Sequence, residues 1–315
     1  MRSEIIKEII MNLFTKTIEG WASWAKVFQS IQAFEPLIRQ ILHNHDLPLG
    51  PSVPIEQLPP GTNAVFKVGH YVVKIYAPEE SGISDNGSLS EIRLTRLAER
   101  RGVPVPQILA SGLLTDRYQF EYMVTRWMNG PMAGDVLPGY SSNEKCNFAL
   151  KIKEIAERIN RPEPDAPLLE NLIQRAVANP RLEGLPRSLI EDMAGLAQSR
   201  EMDGSVWVHG DITGENILLV DGQPVVIDFG DSIGAPAAYE LPPLVFDLFR
   251  CDPEMVQAFL DGGDRESFLD DLIFGLSIHD FGASILKDYC RGQGFPRDHY
   301  KSLKQLRSEL SALLF

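Results

Sequence analysis

Val206-Trp207-Val208-His209-Gly210-Asp211-Ile212-Thr213-Gly214-Glu215-Asn216-Ile217-Leu218-Leu219-Val220-Asp221-Gly222-Gln223-Pro224-Val225-Val226-Ile227-Asp228-Phe229-Gly230-Asp231 alternates short apolar runs with polar breaks. Val206 to Val208 reads as a short buried strand. His209-Gly210-Asp211 interrupts it, and Asn216 follows. Ile217 to Val220 is a second apolar run. Asp221-Gly222 is the two-residue signature of a type I′ hairpin. Val225 to Ile227 returns as a third strand and delivers Asp228. A loop and a hairpin in this order point Asp211, Asn216 and Asp228 toward one spot.

Two carboxylates held close together beside buried strands repel, and burial raises that cost. A divalent cation removes the problem. Mg²⁺ takes oxygen ligands, one or two carboxylates together with substrate phosphates and waters. Asp228 and Asn216 suit ligation, and Asp211 suits accepting a hydroxyl proton. Phosphoryl transfer needs this arrangement, because its catalysis is mostly positioning and charge neutralisation. Isolated Asp and Asn residues in loops are more often turn formers; here the spacing and the flanking strands set them apart.

The paired motifs, His209-Gly210-Asp211 with Asn216 and Ile227-Asp228-Phe229-Gly230-Asp231, resemble the catalytic loop and metal-binding strand of aminoglycoside phosphotransferases and choline-kinase-like enzymes. The resemblance runs from about Leu58 to the C-terminal helices. It implies an α+β, two-lobed protein-kinase-like fold: a small lobe with an antiparallel sheet and a large, mainly helical lobe. It also implies ATP or GTP as co-substrate and Mg²⁺ as cofactor. On that reading 51–128 is the nucleotide-binding lobe and 129–315 the catalytic and substrate-binding lobe, while the helices of residues 1–50, which the family core does not need, read as an N-terminal cap.

With 44% hydrophobic and 23% charged residues the composition is that of a globular protein, and 315 residues suffice for two cored lobes. Cys146, Cys251 and Cys290 are too few and too widely spaced for a disulfide framework or a metal cluster, so a reducing cytoplasm is the simplest setting. Ile9 to Phe14 is too short and polar for a signal sequence, and no apolar run spans a membrane. A net charge of −13 argues against nucleic acid as a partner. Between Glu240 and Asp288 eleven acids face three bases, a local excess that would attract a cationic acceptor.

Along the chain, residues 3–18 have helical spacing, and Trp21 to Phe34 continue it in a second helix that Pro36 ends or kinks. Trp21 and Trp24 read as core. Leu47 to Pro60 is a Pro-rich connector. Gly61 to Val68 and Tyr71 to Tyr76 form a hairpin around Gly69-His70. By resemblance, Gly61, Thr62 and Asn63 lie where the family covers the nucleotide phosphates, although one glycine replaces a glycine-rich loop. Lys74 matches the strand lysine that contacts the α and β phosphates, and Glu91, on the following helix, is its ion-pair partner. Ser81 to Ser88 is a loop. The break after Trp127 resembles the hinge that holds the purine, with the Arg126 C=O and Met128 N–H as its contacts. Helices over 146–159, 168–177 and 185–197 build the large lobe. The second Asp-Phe-Gly, at Asp280, falls in a helical pattern and reads as helix.

The function that follows is transfer of a γ-phosphate to a hydroxyl of a small molecule, by a monomer or homodimer. An aminoglycoside-like antibiotic, and hence antibiotic resistance, fits the acidic stretch; choline, homoserine or a sugar are the alternatives. A protein kinase is disfavoured, because no long segment follows Asp231 and Gly210 replaces the arginine that reads an activation-loop phosphate. A pseudokinase scaffold is disfavoured, because no ligand, base or lysine is lost.

Overall fold

The computed structural model describes residues 12–50, 52–59, 61–83, 87–164, 171–200 and 205–315. The chain divides into two compact units, Met1–Ile92 with Pro106–Met128, and Arg93–Val105 with Asn129–Phe315.

The first unit opens with α1 (Trp21–Trp24) and α2 (Ile31–Asn44), followed by β1 (Ile55–Gln57), β2 (Ala64–Val68) and β3 (Tyr71–Ile75). Next comes α3 (Ser88–Arg100), within which the division between the units falls, then β4 (Ile108–Thr115) and β5 (Gln119–Arg126). The five strands form one antiparallel sheet in the order β1-β2-β3-β5-β4. Strand alternation buries Ala64, Phe66 and Val68 of β2 and Val73 and Ile75 of β3, which pack with Phe34, Leu37, Ile38 and Ile41 of α2. Gly69, at φ 61°, closes the expected hairpin.

Four expectations for this unit need correction. Residues 12–20 form no helix. Instead the Leu13 and Phe14 N–H groups donate to the two Asp116 carboxylate oxygens at 2.9 and 2.8 Å, and Ile18 N–H donates to Tyr118 Oη at 2.9 Å. Backbone donors are thus satisfied by the β4–β5 turn rather than by a helical ladder. The earlier part of that expected helix lies outside the described residues. The second helix is broken between Trp24 and Ile31, where Ser30 caps α2 by accepting Ala33 N–H. Pro36 then sits inside α2, which continues to Asn44 because its apolar face is buried. Trp24 is core, with its indole N–H on Thr62 O at 2.8 Å, but Trp21 is 49% exposed. Finally, the Pro-rich connector contains β1, an edge strand that starts directly after Pro54, where a proline costs no ladder bond.

The second unit contains α4 (Ala133–Val136), α5 (Ser142–Ile159), α6 (Leu172–Val177), α7 (Arg187–Ser199), β6 (Val206–Val208), β7 (Ile217–Val220), β8 (Gln223–Val226) and β9 (Ile233–Ala235). The helices α8 (Pro253–Leu260), α9 (Arg265–Ile278), α10 (Gly282–Gly292) and α11 (Leu303–Leu314) complete it. β7 and β8 pair as a hairpin whose turn residues, Asp221 at φ 50° and Gly222 at φ 73°, have the double positive φ of a type I′ turn. β6 pairs with β9, across residues 209–232, and not with the hairpin. α9 is buried on most of its circumference, from Phe268 to Ile278. Among the described residues no helix is long and apolar enough to cross a membrane.

Candidate active site

The loop between β6 and β7 is held peptide by peptide. Glu240 accepts the His209 N–H at 2.6 Å with one carboxylate oxygen and the Gly210 N–H at 3.0 Å with the other. Ser232 Oγ donates to His209 O at 3.2 Å. The Gly210 carbonyl lies 2.9 Å from His279 Nε2, and Asp211 N–H donates to His209 Nδ1 at 3.2 Å. Gly210 is required here twice over: its φ is 79°, and a Cβ would meet Asp231 O at 2.9 Å.

Asn216 joins the loop to the hairpin. Its Nδ2 donates to Asp211 O at 2.9 Å and to Asp211 Oδ2 at 2.7 Å. Its carbonyl accepts Ile227 N–H at 3.0 Å, which ties the start of β7 to the residue before Asp228. Asp228 has the left-handed φ of 61° that Asp tolerates better than most residues, and its Oδ1 accepts Gly230 N–H at 3.3 Å. The structure therefore brings together the three residues that the sequence singled out.

Their electrostatics are those of a crowded acid cluster. Burial pushes the Asp211 carboxyl up to about 7; the charges of Asp231, Asp228 and Asp247 push the same way, while the Asn216 amide pulls it down. Burial holds the His209 imidazole down at about 4, so it is neutral at ordinary pH. With the Asn216 amide nitrogen committed to Asp211, its Oδ1 is the atom left to act as a ligand, beside the Asp228 carboxylate. Two hard oxygen donors beside mutually repelling carboxylates fit Mg²⁺, which completes its shell with phosphate and water. Among the described residues no group of three or more His, Cys, Asp or Glu side chains forms a protein-only metal site.

In the first unit, Lys74 Nζ lies 2.8 Å from Glu91 Oε1, and Tyr76 Oη donates to Glu91 Oε2 at 2.9 Å. Both charged side chains are buried. Glu99, the other acid of α3, has no such position. Thr62 and Asn63 are engaged in holding their loop: Thr62 O accepts Trp24 Nε1–H, and Asn63 Oδ1 accepts Ala77 N–H at 3.1 Å. Among the described residues nothing lies within 4 Å of a Cβ at Gly61, so they do not demand a glycine there. Arg126 N–H donates to Gln107 O and Trp127 N–H to His70 O, whereas the Met128 N–H has no partner among the described residues.

Two expectations for the second unit change. The second Asp-Phe-Gly is no helix: His279, Asp280 and Phe281 form the turn between α9 and α10, and Asp280 pairs with Arg175 at 2.5 Å. The acidic stretch from Glu240 to Asp288 is largely neutralised by cations from elsewhere in the unit. Asp252 pairs with Lys145, Asp261 with Lys153, Asp271 with Arg200, and Glu266 and Asp270 with Arg307. Glu240, counted in the sequence only as one of those acids, is instead a fully buried support of the loop between β6 and β7. His279 drew no attention in the sequence at all. Neither has a local spacing signal, since their partners are backbone groups distant in sequence.

A five-stranded antiparallel sheet in one unit and a mainly helical second unit make an α+β fold of the protein-kinase-like kind, in which Asp211, Asn216 and Asp228 come together. APH(2")-IIIa, solved with GDP and kanamycin, superposes with a TM-score of 0.59 at 18% identity, covering 89% of this chain and 99% of that one. A choline/ethanolamine kinase family protein from Mesorhizobium loti gives 0.56 at 17%, covering 89% and 94%. The amicoumacin kinase hAmiN, solved with AMP-PNP, Ca²⁺ and amicoumacin, gives 0.57 at 13%, covering 88% and 92%. At such identities these likenesses speak for the fold. A sequence profile of the phosphotransferase enzyme family matches residues 55–303, and the chain belongs to that family.

Proposed function

We propose that the protein transfers the γ-phosphate of ATP or GTP to a hydroxyl group of a small molecule. The observation that carries this reading is the Asp211–Asn216–Asp228 constellation, with Asn216 bonded to Asp211 and tied through Ile227 to the Asp228 strand. Asp211, bonded to Asn216 and partly buried, orients the acceptor hydroxyl and takes its proton. Asn216 Oδ1 and the Asp228 carboxylate hold Mg²⁺, which, when bound, offsets the charge of the nucleotide phosphates. In the first unit, Lys74, fixed by Glu91, serves the α and β phosphates. Gly61, Thr62 and Asn63 lie over the phosphates, and the Arg126 C=O and Met128 N–H serve the purine. The lobe boundaries proposed for these roles are residues 51–128 and 129–315, with 1–50 as a cap.

For the acceptor, an aminoglycoside-like cation is our first choice and choline, homoserine or a sugar the second. Support for a cation comes from Asp231 and Asp247, whose charges act on Asp211 in addition to that of the proposed metal ligand Asp228. The paired acids of α8 and α9 offer none. A phosphotransfer screen with ATP and GTP across aminoglycosides, macrolides, amino alcohols and sugars tests the proposal. Transfer to a hydroxyl in one class supports it. Nucleotide binding without transfer to any acceptor or to water would overturn it.

A further inference from the structure

His279 stands at the C-terminal end of α9, and its contacts fix its protonation without recourse to pH. Phe281 N–H lies 3.0 Å from Nδ1. A backbone N–H can only donate, so Nδ1 carries the lone pair and Nε2 carries the proton. That Nε2–H points at Gly210 O, 2.9 Å away. The same logic applies to His209. Asp211 N–H donates to its Nδ1, so its Nε2–H donates to Ile227 O at 3.2 Å.

The two histidines therefore grip one peptide group, the one joining Gly210 to Asp211. His279 holds its C=O and His209 holds its N–H. A peptide plane between two Cα atoms keeps one soft rotation about their axis. Bonds at both edges remove it. That plane sets the direction in which the Asp211 side chain leaves the backbone. Gly210, at φ 79°, would otherwise be the freest point of the loop.

The rest of the turn aims His279. Its ring is 3% exposed and stacks on Tyr239, with centroids 4.1 Å apart and planes at 28°. Tyr239 Oη accepts Asp280 N–H at 3.2 Å. Asp280 is held by Arg175 and, through its carbonyl, by Asn179 Nδ2 at 2.7 Å. α9 itself runs so close to Ala238 that a Cβ on Gly275 would lie 2.0 Å from Ala238 O. Burial keeps the imidazole down at about 4, with the neighbouring Asp280 and Arg181 acting in opposite directions.

We infer that His279 is a positioning residue for Asp211, a neutral Nε2–H donor that locks the Gly210–Asp211 peptide plane. The inference rests on the role of Asp211 proposed above. It gives the second Asp-Phe-Gly turn a use: it aims an imidazole at the catalytic loop.

Three variants separate positioning from packing. His279→Phe keeps the stacked ring and removes both hydrogen bonds. His279→Asn retains an acceptor near Nδ1 for Phe281 but cannot reach Gly210. His279→Gln places an amide N–H where Nε2 stood. The expected result is a fall in kcat of roughly 10- to 100-fold in the Phe and Asn variants. Acceptor KM and nucleotide Kd should stay within about threefold, and the Gln variant should recover at least tenfold over Phe. Unchanged kcat in His279→Phe overturns the inference, as does a loss that Gln and Asn share equally or one carried by nucleotide affinity. Should the variants not fold, ¹⁵N imidazole NMR of the wild-type protein decides it. A slowly exchanging Nε2–H on His279 is expected; an Nδ1–H tautomer or a charged ring refutes it. Wild-type protein with no phosphotransfer at all fails the phosphotransferase reading and the inference together, whereas wild-type turnover with unaffected variants fails the inference alone.

Discussion

Glu240→Gln isolates the buried acid beneath the catalytic loop. The side chain is 1% exposed, and its two oxygens accept His209 N–H and Gly210 N–H at 2.6 and 3.0 Å. Glutamine keeps the shape and one acceptor but sets an NH₂ group against one of these donors. A buried donor left unmatched costs about 1–3 kcal/mol. The pH dependence distinguishes this from a simple packing loss. Burial pushes the Glu240 carboxyl up to about 7, from 4.5 when free. The folded protein thus holds that proton more tightly than the unfolded chain does. Stability from this source is fully present below the free value, and it is lost as pH rises through the folded value. Between pH 5 and pH 8 the loss amounts to about 2–3 kcal/mol. Glutamine has no proton to lose, so the gap between wild type and variant should narrow by that amount as pH rises. Guanidinium unfolding of both proteins at pH 5, 6, 7 and 8 measures the gap, and groups common to both cancel in the difference. Asp211, whose charge raises the Glu240 carboxyl, is coupled to it, so the series is repeated with Asp211→Asn in both backgrounds. A gap that stays constant or widens with pH refutes the reasoning.

Asp211→Asn should lower turnover by about 10²–10⁴-fold while nucleotide affinity, measured by calorimetry, holds; wild-type turnover would remove Asp211 from the proposed base role. Asp228→Ala should weaken Mg²⁺-dependent nucleotide binding, read by titrating nucleotide with and without the metal; an affinity unchanged in the presence of Mg²⁺ contradicts its role as a ligand. Lys74→Met removes the cation that lies 2.8 Å from the buried Glu91 carboxylate and should destabilise the protein by about 3–5 kcal/mol. Adding Glu91→Leu should restore most of that stability without restoring phosphotransfer, and a double variant no more stable than the single one would mean that the pair is not what costs the energy.

What the sequence revealed was whatever a short window encodes. Asp221-Gly222 announced the hairpin because two consecutive positive φ values admit few residues, and that hairpin carried Asp228 to its place. Strand alternation put Lys74 opposite the buried Val73 and Ile75, and the first acid on α3 proved to be its partner. The helical period misled at residues 12–20, because Asp116, about a hundred residues away, supplies the acceptors that a helix would have supplied. Leu13 and Ile18 kept an apolar spacing there without the backbone to match. Glu240 and His279 were invisible for a related reason. Each bonds to main-chain atoms of a loop 30 to 69 residues away, and a main-chain atom leaves no mark on the letters around its partner.

Charge was the least legible property, since a count along the chain ignores what the fold sets opposite each acid. Eleven acids against three bases between Glu240 and Asp288 suggested a local field. In the folded unit, Lys145, Lys153, Arg200 and Arg307 lie within 3 Å of five of those acids, and Arg175 of a sixth. Such pairs add little stability, but opposite charges within 3 Å cancel at the distance of an approaching ligand. A cationic acceptor of the kind proposed would instead meet the acids whose charges act on Asp211. Their effect is local: burial is the main force raising the Asp211 carboxyl, and the charges of Asp231, Asp228 and Asp247 add to it. A cation bound there would favour the ionised Asp211, lowering its pKa as it binds. Charge recognition of the acceptor and activation of its hydroxyl would then act through the same carboxylate.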